Sequence, residues 1–198
     1  RAACEAINEL FDLGTMESIA AALTGHSAPS SSVRNLVMVR SLKLVASETN
    51  EAIRHSVDAI LVQAFSKDDP KMRSKILQEF EARPTQKRGE QVRRWITNPS
   101  FKFRGIGERC EIVRVLGGYS DAKTIAFLGE LLTQVRLFSS DTEMLFQIEV
   151  AKVLLRINTH QSRLHVYKVM KGWTVPARVK AEIQKAIEAA KHGEGGAS

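Results

Sequence analysis

The side chains best suited to chemistry are few, and their spacing assembles no reactive set. Five histidines occur in 198 residues. His160 and His165, in HQSRLH, stand five apart, and on a helix that separation turns two side chains away from each other. No Cys, Asp or further His completes a tetrahedral set with them, so no metal site is expected. His26, His55 and His192 sit among polar residues and read as surface positions. Cys4 and Cys110 fit neither a disulfide framework nor a ligand spacing, and read as two ordinary thiols in a reducing compartment.

Gly105 and Gly107 form a GxG in FRGIGERC, but no strand is predicted before it and the third glycine of a nucleotide fingerprint is absent. The pair reads as a permissive loop opening the helix ERCEIVRVL, whose first amides could hold an anion. The serines of SAPSSS, residues 27–32, lie in no nucleophile-elbow or SxxK pattern. Glu108 and Glu111 are one helical turn apart, yet Arg109 and Arg114 surround them, and solvated ion pairs account for both. No nucleophile, base and orienting group come together. No catalytic, cofactor-binding or metal-ligating residue is expected, and the chain reads as a non-enzyme.

Charge is the stronger signal. The formal net charge is +7, and residues 83–114 hold nine Lys or Arg against three Glu. The remaining residues nearly balance, with twenty basic against nineteen acidic side chains, so the excess is expected to be local to that stretch. Within it, QKRGEQVRRWI reads as a helix that ends at Asn98-Pro99, because a residue before proline resists the helical region. NPSFKFRGIG then reads as a loop in which Phe101, Lys102, Phe103 and Arg104 alternate rings with cations. The candidate partner-binding residues are Lys87, Arg88, Arg93, Arg94, Phe101, Lys102, Arg104 and Arg109.

The elements that must carry these residues are helical. Ala, Leu, Glu, Lys, Arg and Gln dominate, and strand-like runs are scarce. Serine caps are expected at 30–33, an Asp69 cap with Pro70 in the first turn at 68–71, and a capping box in SDTE from Ser140 to Glu143. TVPAR, residues 174–178, opens a last helix with Val179, Ile183 and Ile187 on one face. HGEGGAS reads as a tail, which places one domain over 1–192 and a flexible end at 193–198. No apolar run approaches the roughly 20 residues needed to cross a bilayer. The start, RAACEAINELF, has neither an initiator Met nor a cleavable apolar leader, so the chain is expected to be a domain of a longer protein. Cytoplasm is the default compartment.

One phrase recurs: an apolar helix end, a short polar turn, and a second helix with an aliphatic residue near its start. It reads LFDLGTMESIAAAL at 10–23, LKLVASETNEAIRHSV at 42–57, VLGGYSDAKTIAFLGELL at 115–132 and VLLRINTHQSRLHVYKVM at 153–170. Aligning Ile19, Ile53, Ile125 and Leu164 gives separations of 34, 72 and 39, so a degenerate copy is expected near the helix holding Arg93, Trp95 and Ile96. These turns resemble the HEAT family of helical repeats. The resemblance implies an all-α solenoid of about five hairpins plus a C-terminal helix, with an extended surface suited to holding a macromolecule. A non-repeating helical bundle is the rival architecture.

Three readings of the basic stretch compete. It can be a solvated face with Trp95, Phe101 and Phe103 turned into the core. It can dock an acidic protein segment, through arginine–carboxylate pairing with an aromatic anchor. It can bind a nucleic-acid backbone, for which clustered charge and a pI near 9.6 are the footprint. Some HEAT-like proteins are alkyl-base DNA glycosylases that use an Asp on a basic concave face. From Arg83 to Ser120 this chain has no Asp, and Trp173, in KGWTVP, is expected to pack the last hairpin against the C-terminal helix. A scaffold module for an acidic partner is the leading expectation. Nucleic acid is the alternative.

Overall fold

A computed structural model describes residues 39, 41, 51–67, 70–134 and 140–194. All the regular structure among the described residues is helical. The first turn phrase at 10–23, the serine caps at 30–33, most of the second phrase, Asp69, Cys4, His26 and residues 195–198 lie outside the described residues. The chain divides into two compact units, Arg1–Glu79 and Phe80–Ser198, where the sequence predicts one domain over 1–192.

The first unit contains α1 (Glu51–Lys67) and most of α2 (Pro70–Ala82). Pro70 is the first residue of α2, where a missing N–H breaks no helical bond. Val57, Ile60, Leu61 and Phe65 recur at helical spacing on α1 and are buried, as are Met72, Ile76 and Leu77 on α2.

The second unit takes in the last turn of α2 and then α3 (Gln86–Thr97), α4 (Ile106–Val115), α5 (Ala122–Thr133), α6 (Asp141–Ile157), α7 (His160–Lys171) and α8 (Ala177–Glu194). Two short 3₁₀ turns, Pro99–Phe103 and Leu116–Gly118, join α3 to α4 and α4 to α5. α3 packs on α5 and α5 on α7, while α4 packs on α6 and α6 on α8. α6 also lies against α5 and α7, and its Phe146, Val150, Val153 and Leu154 are buried at the centre of the unit. Val179, Ile183 and Ile187 of α8 are all buried, as their four-residue spacing predicts. α8 starts at Ala177 and runs to Glu194, two residues into the stretch expected to be a tail.

Local chemistry sets the boundaries. Asn98 leaves the helical region at ψ 132, ending α3 before Pro99. Ser140 and Glu143 make the expected capping box: the Glu143 amide donates to Ser140 Oγ at 3.2 Å and the Ser140 amide donates to Glu143 Oε2 at 3.1 Å. Asn158 closes α6 in the left-handed region at φ 56, a conformation asparagine tolerates.

Three helices begin alike. Thr85, Asp121 and Thr159 each cap a helix by accepting the amide three residues on, at Arg88, Thr124 and Ser162. Those three N3 residues are buried, and so are the residues four further on, Val92, Leu128 and Val166. In this register Leu164 has no equivalence to Ile125. Ile125 is buried, and Leu164 is 43 % exposed.

Candidate interaction surface

The basic stretch from Arg83 to Arg114 belongs almost wholly to α3, the 3₁₀ turn after it and α4, and the structure sorts its side chains sharply. Arg88 is only 4 % exposed. Its Nη1 donates to the Arg83 carbonyl oxygen at 2.9 Å, and its guanidinium lies 4.8 Å from the centroid of the Phe80 ring. A cation there closes the C-terminal end of α2, where unmatched carbonyls gather negative charge. The sequence places Arg88 on the partner face; the structure places it inside.

Phe101 is also buried, meeting the Phe146 ring edge-on at 5.7 Å. Arg109 stands over both rings, 5.3 Å from Phe101 and 4.5 Å from Phe146, and its buried Nε has no hydrogen-bond partner. Arg104 pairs with Glu108 one turn along. Arg114, at the end of the same stretch, donates to Glu149 at 2.6 Å. Trp95 stacks on Phe80 at 5.5 Å, whereas Phe103 is exposed, with Lys102 Nζ 5.0 Å from its ring centroid. The solvated-face reading, which turns all three rings into the core, therefore fails at Phe103, and the partner-face placement of Phe101 fails because that ring is buried.

What remains toward solvent is Arg83, Lys87, Arg94 and Lys102, with Arg93 on the wall of a groove. The groove runs between α3 and α5 and has a volume of about 530 Å³. Arg93, Arg94 and Glu90 line it from α3, and Lys123, Phe127 and Glu130 line it from α5. Arg93 Nη1 donates to Thr124 Oγ1, and the Thr124 hydroxyl donates to Asp121 Oδ2 at 2.6 Å. Arg93 Nη1 also lies 3.9 Å from that carboxylate oxygen. Burial pushes the Asp121 carboxyl up, but the Thr124 hydrogen bonds and the Arg93 charge outweigh it and hold the group below the ordinary aspartate range. Arg93 is thereby fixed in one orientation. Arg94 and Lys123, on opposite walls, are exposed and form no ion pair among the described residues.

Lys123 and Phe127 are groove residues that reading the sequence missed. They stand four apart on α5, outside the window of concentrated charge, and only the packing of α5 on α3 brings them to Arg94. A second omission is larger. Positive charge is not confined to residues 83–114, because residues 150–181 hold seven Lys or Arg and no Asp or Glu. An acidic excess elsewhere cancels them in a whole-chain total. Trp173 belongs to this second run and is 83 % exposed, so it does not pack the last hairpin.

Among the described residues, no group of three or more His, Cys, Asp or Glu is placed to hold a metal ion, and no helix is long and apolar enough to cross a membrane. Cys110 is buried, and burial followed by the nearby Glu149 charge raises its thiol pKa, which keeps it protonated and unreactive. A scan against protein-family models and a search of the curated proteins give no match to this chain.

Proposed function

We propose that this chain is a non-catalytic interaction module of HEAT-like helical hairpins, and that the groove between α3 and α5 takes an acidic segment of a partner protein. The pair of Arg94 and Lys123 carries this reading: two exposed cations face each other across a groove with the Phe127 ring between their helices. Arg93, already oriented by Thr124, loses little freedom when a carboxylate arrives. Glu90 and Glu130 share the lining and repel negative charge at their own positions. A peptide can pattern its carboxylates to avoid them, whereas a uniform phosphate backbone cannot.

The hairpin reading is supported by the spacing of like starts. The caps Thr85, Asp121 and Thr159 are 36 and 38 residues apart, and the alternate helices starting at Ile106, Asp141 and Ala177 are 35 and 36 apart. Such periods belong to stacked helix pairs. α3 then supplies the degenerate copy that the sequence expects beside Trp95.

The test is a comparison of the whole chain with R94E/K123E as baits in a cell lysate. Arg93 and Arg104 are poor choices for reversal because each is tied to the chain's own carboxylate. An acidic protein should be retained by the natural chain, and the double reversal should weaken that binding by about tenfold with an unchanged helical circular dichroism spectrum. Equal retention by both baits refutes the reading.

A further inference from the structure

The acid-free run at 150–181 places an unusual surface on α7. Around that helix, Ser162, Val166 and Val169 are buried, while His160, Arg163, Leu164, Tyr167, Lys168 and Lys171 are exposed. At about 100° per residue the exposed set forms one continuous arc. Leu164 is 43 % exposed and Tyr167 is 44 % exposed, and Trp173 follows directly after the helix. Single exposed apolar side chains are ordinary, but three within ten residues of an uninterrupted cationic run are not. Arg163, Lys168 and Lys171 form no ion pair among the described residues, although Arg156 and Arg178 in the same run pair with Glu81 and Asp141.

We propose that the outer face of α7, together with Trp173, binds single-stranded nucleic acid. Arg163, Lys168 and Lys171 contact phosphates, while Tyr167 and Trp173 offer ring faces to bases. Cations that track a backbone beside rings that stack on bases are the two parts such binding requires. Leu164 lies between them and gives an apolar contact to a sugar or a base edge. No carboxylate occurs within the run to repel phosphate, in contrast to the groove with Glu90 and Glu130. A single strand fits better than a duplex, because paired bases keep their faces inside the stack and leave a protruding Trp nothing to cover. This surface is separate from the groove between α3 and α5, and the inference stands whether or not the groove holds a peptide.

The experiment is fluorescence anisotropy of end-labelled oligothymidylate, about 20 nucleotides long, titrated with the full chain at two salt concentrations. Binding should weaken with salt at a log–log slope near −2, from about 0.7 per phosphate contact over three cations. Trp173→Ala should weaken binding roughly tenfold at either salt concentration, as loss of one stacked base does. K168E/K171E should flatten the salt slope and lower affinity, while R94E/K123E in the groove should leave the oligonucleotide affinity unchanged. Trp173 is so exposed that its truncation leaves the fold intact, which circular dichroism checks. Four results overturn the proposal: no binding; equal binding by the Trp173 and Tyr167 alanine variants; a duplex of equal length binding as tightly; or polyglutamate or phosphatidylserine vesicles competing as well as the single strand.

Discussion

Gly129→Ala is a sharp test of how α5 packs on α7. Gly129 lies inside α5 and is buried. A Cβ added there would meet the His165 ring, with Cγ at 2.7 Å and Nδ1 closer still. Carbon atoms prefer separations of about 3.5–4.0 Å. The whole ring must therefore move by roughly 1 Å, and it cannot simply swing its far end aside. Two effects oppose each other. Alanine in a helix interior is favoured over glycine by about 1 kcal/mol. Overpacking a buried contact costs about 1–3 kcal/mol, and this contact is at the severe end. The net expectation is destabilisation by about 1–2 kcal/mol. The sign should reverse where the ring is absent: in a His165→Ala background, Gly129→Ala should stabilise by about 0.5–1 kcal/mol, from propensity alone. Urea unfolding followed by circular dichroism gives all four corners of the cycle. Stabilisation by Gly129→Ala in the natural chain would refute the close approach of α5 to α7, and with it the placement of the α7 face.

Ser140→Ala removes the acceptor of the capping box at the head of α6, the helix at the centre of the second unit, and should cost about 1 kcal/mol in the same urea assay. Asp121→Asn keeps a residue able to cap α5 while removing the charge beside Arg93. The folded-state pKa of Asp121 lies below its unfolded value, so its charge stabilises the fold above the unfolded value, and that contribution is lost as pH falls through the folded one. The natural chain should be the more stable at neutral pH, and its advantage over the variant should vanish in strong acid; an advantage that grows in acid would contradict the geometry.

How far the sequence discloses this architecture depends on the range of the signal. The Ser140 capping box, the end of α3 before Pro99 and the buried face of α8 follow from residues within one or two turns of each other, and all appear as expected. Arg88 and Trp173 depend on neighbours far along the chain or on their absence. Nothing in QKRGEQV says that Phe80 and the Arg83 carbonyl stand beside Arg88. In FKFR the two rings are two apart in a tight turn and leave on different sides, so one meets Phe146 and the other meets solvent. The register of α7 is obscured because Leu164 mimics the buried aliphatic of α5. The buried positions of α7 that match Thr124 and Leu128 of α5 carry a hydroxyl at Ser162 and a small β-branched chain at Val166, both less conspicuous than leucine.

A window count of charge treats guanidinium and ammonium alike, but the fold does not. Arg93, Arg104, Arg114, Arg156 and Arg178 each reach a carboxylate of the chain, and Arg88 and Arg109 lie over aromatic rings. A planar, weakly hydrated fork suits both arrangements better than a compact ammonium, although Lys102 does lie over Phe103 and Lys185 does pair with Glu182. The cations left on the two proposed surfaces are therefore mainly Lys123, Lys168 and Lys171, with Arg94 and Arg163. Lysines act as hydrated point charges, which raise encounter rates at low salt and fade within a Debye length of about 8 Å at physiological ionic strength. Lasting affinity must then come from the apolar side chains beside them, Phe127 in the groove and Tyr167 and Trp173 on α7. Loss of a ring should weaken either complex at every salt concentration. Loss of a lysine should weaken it chiefly when salt is low.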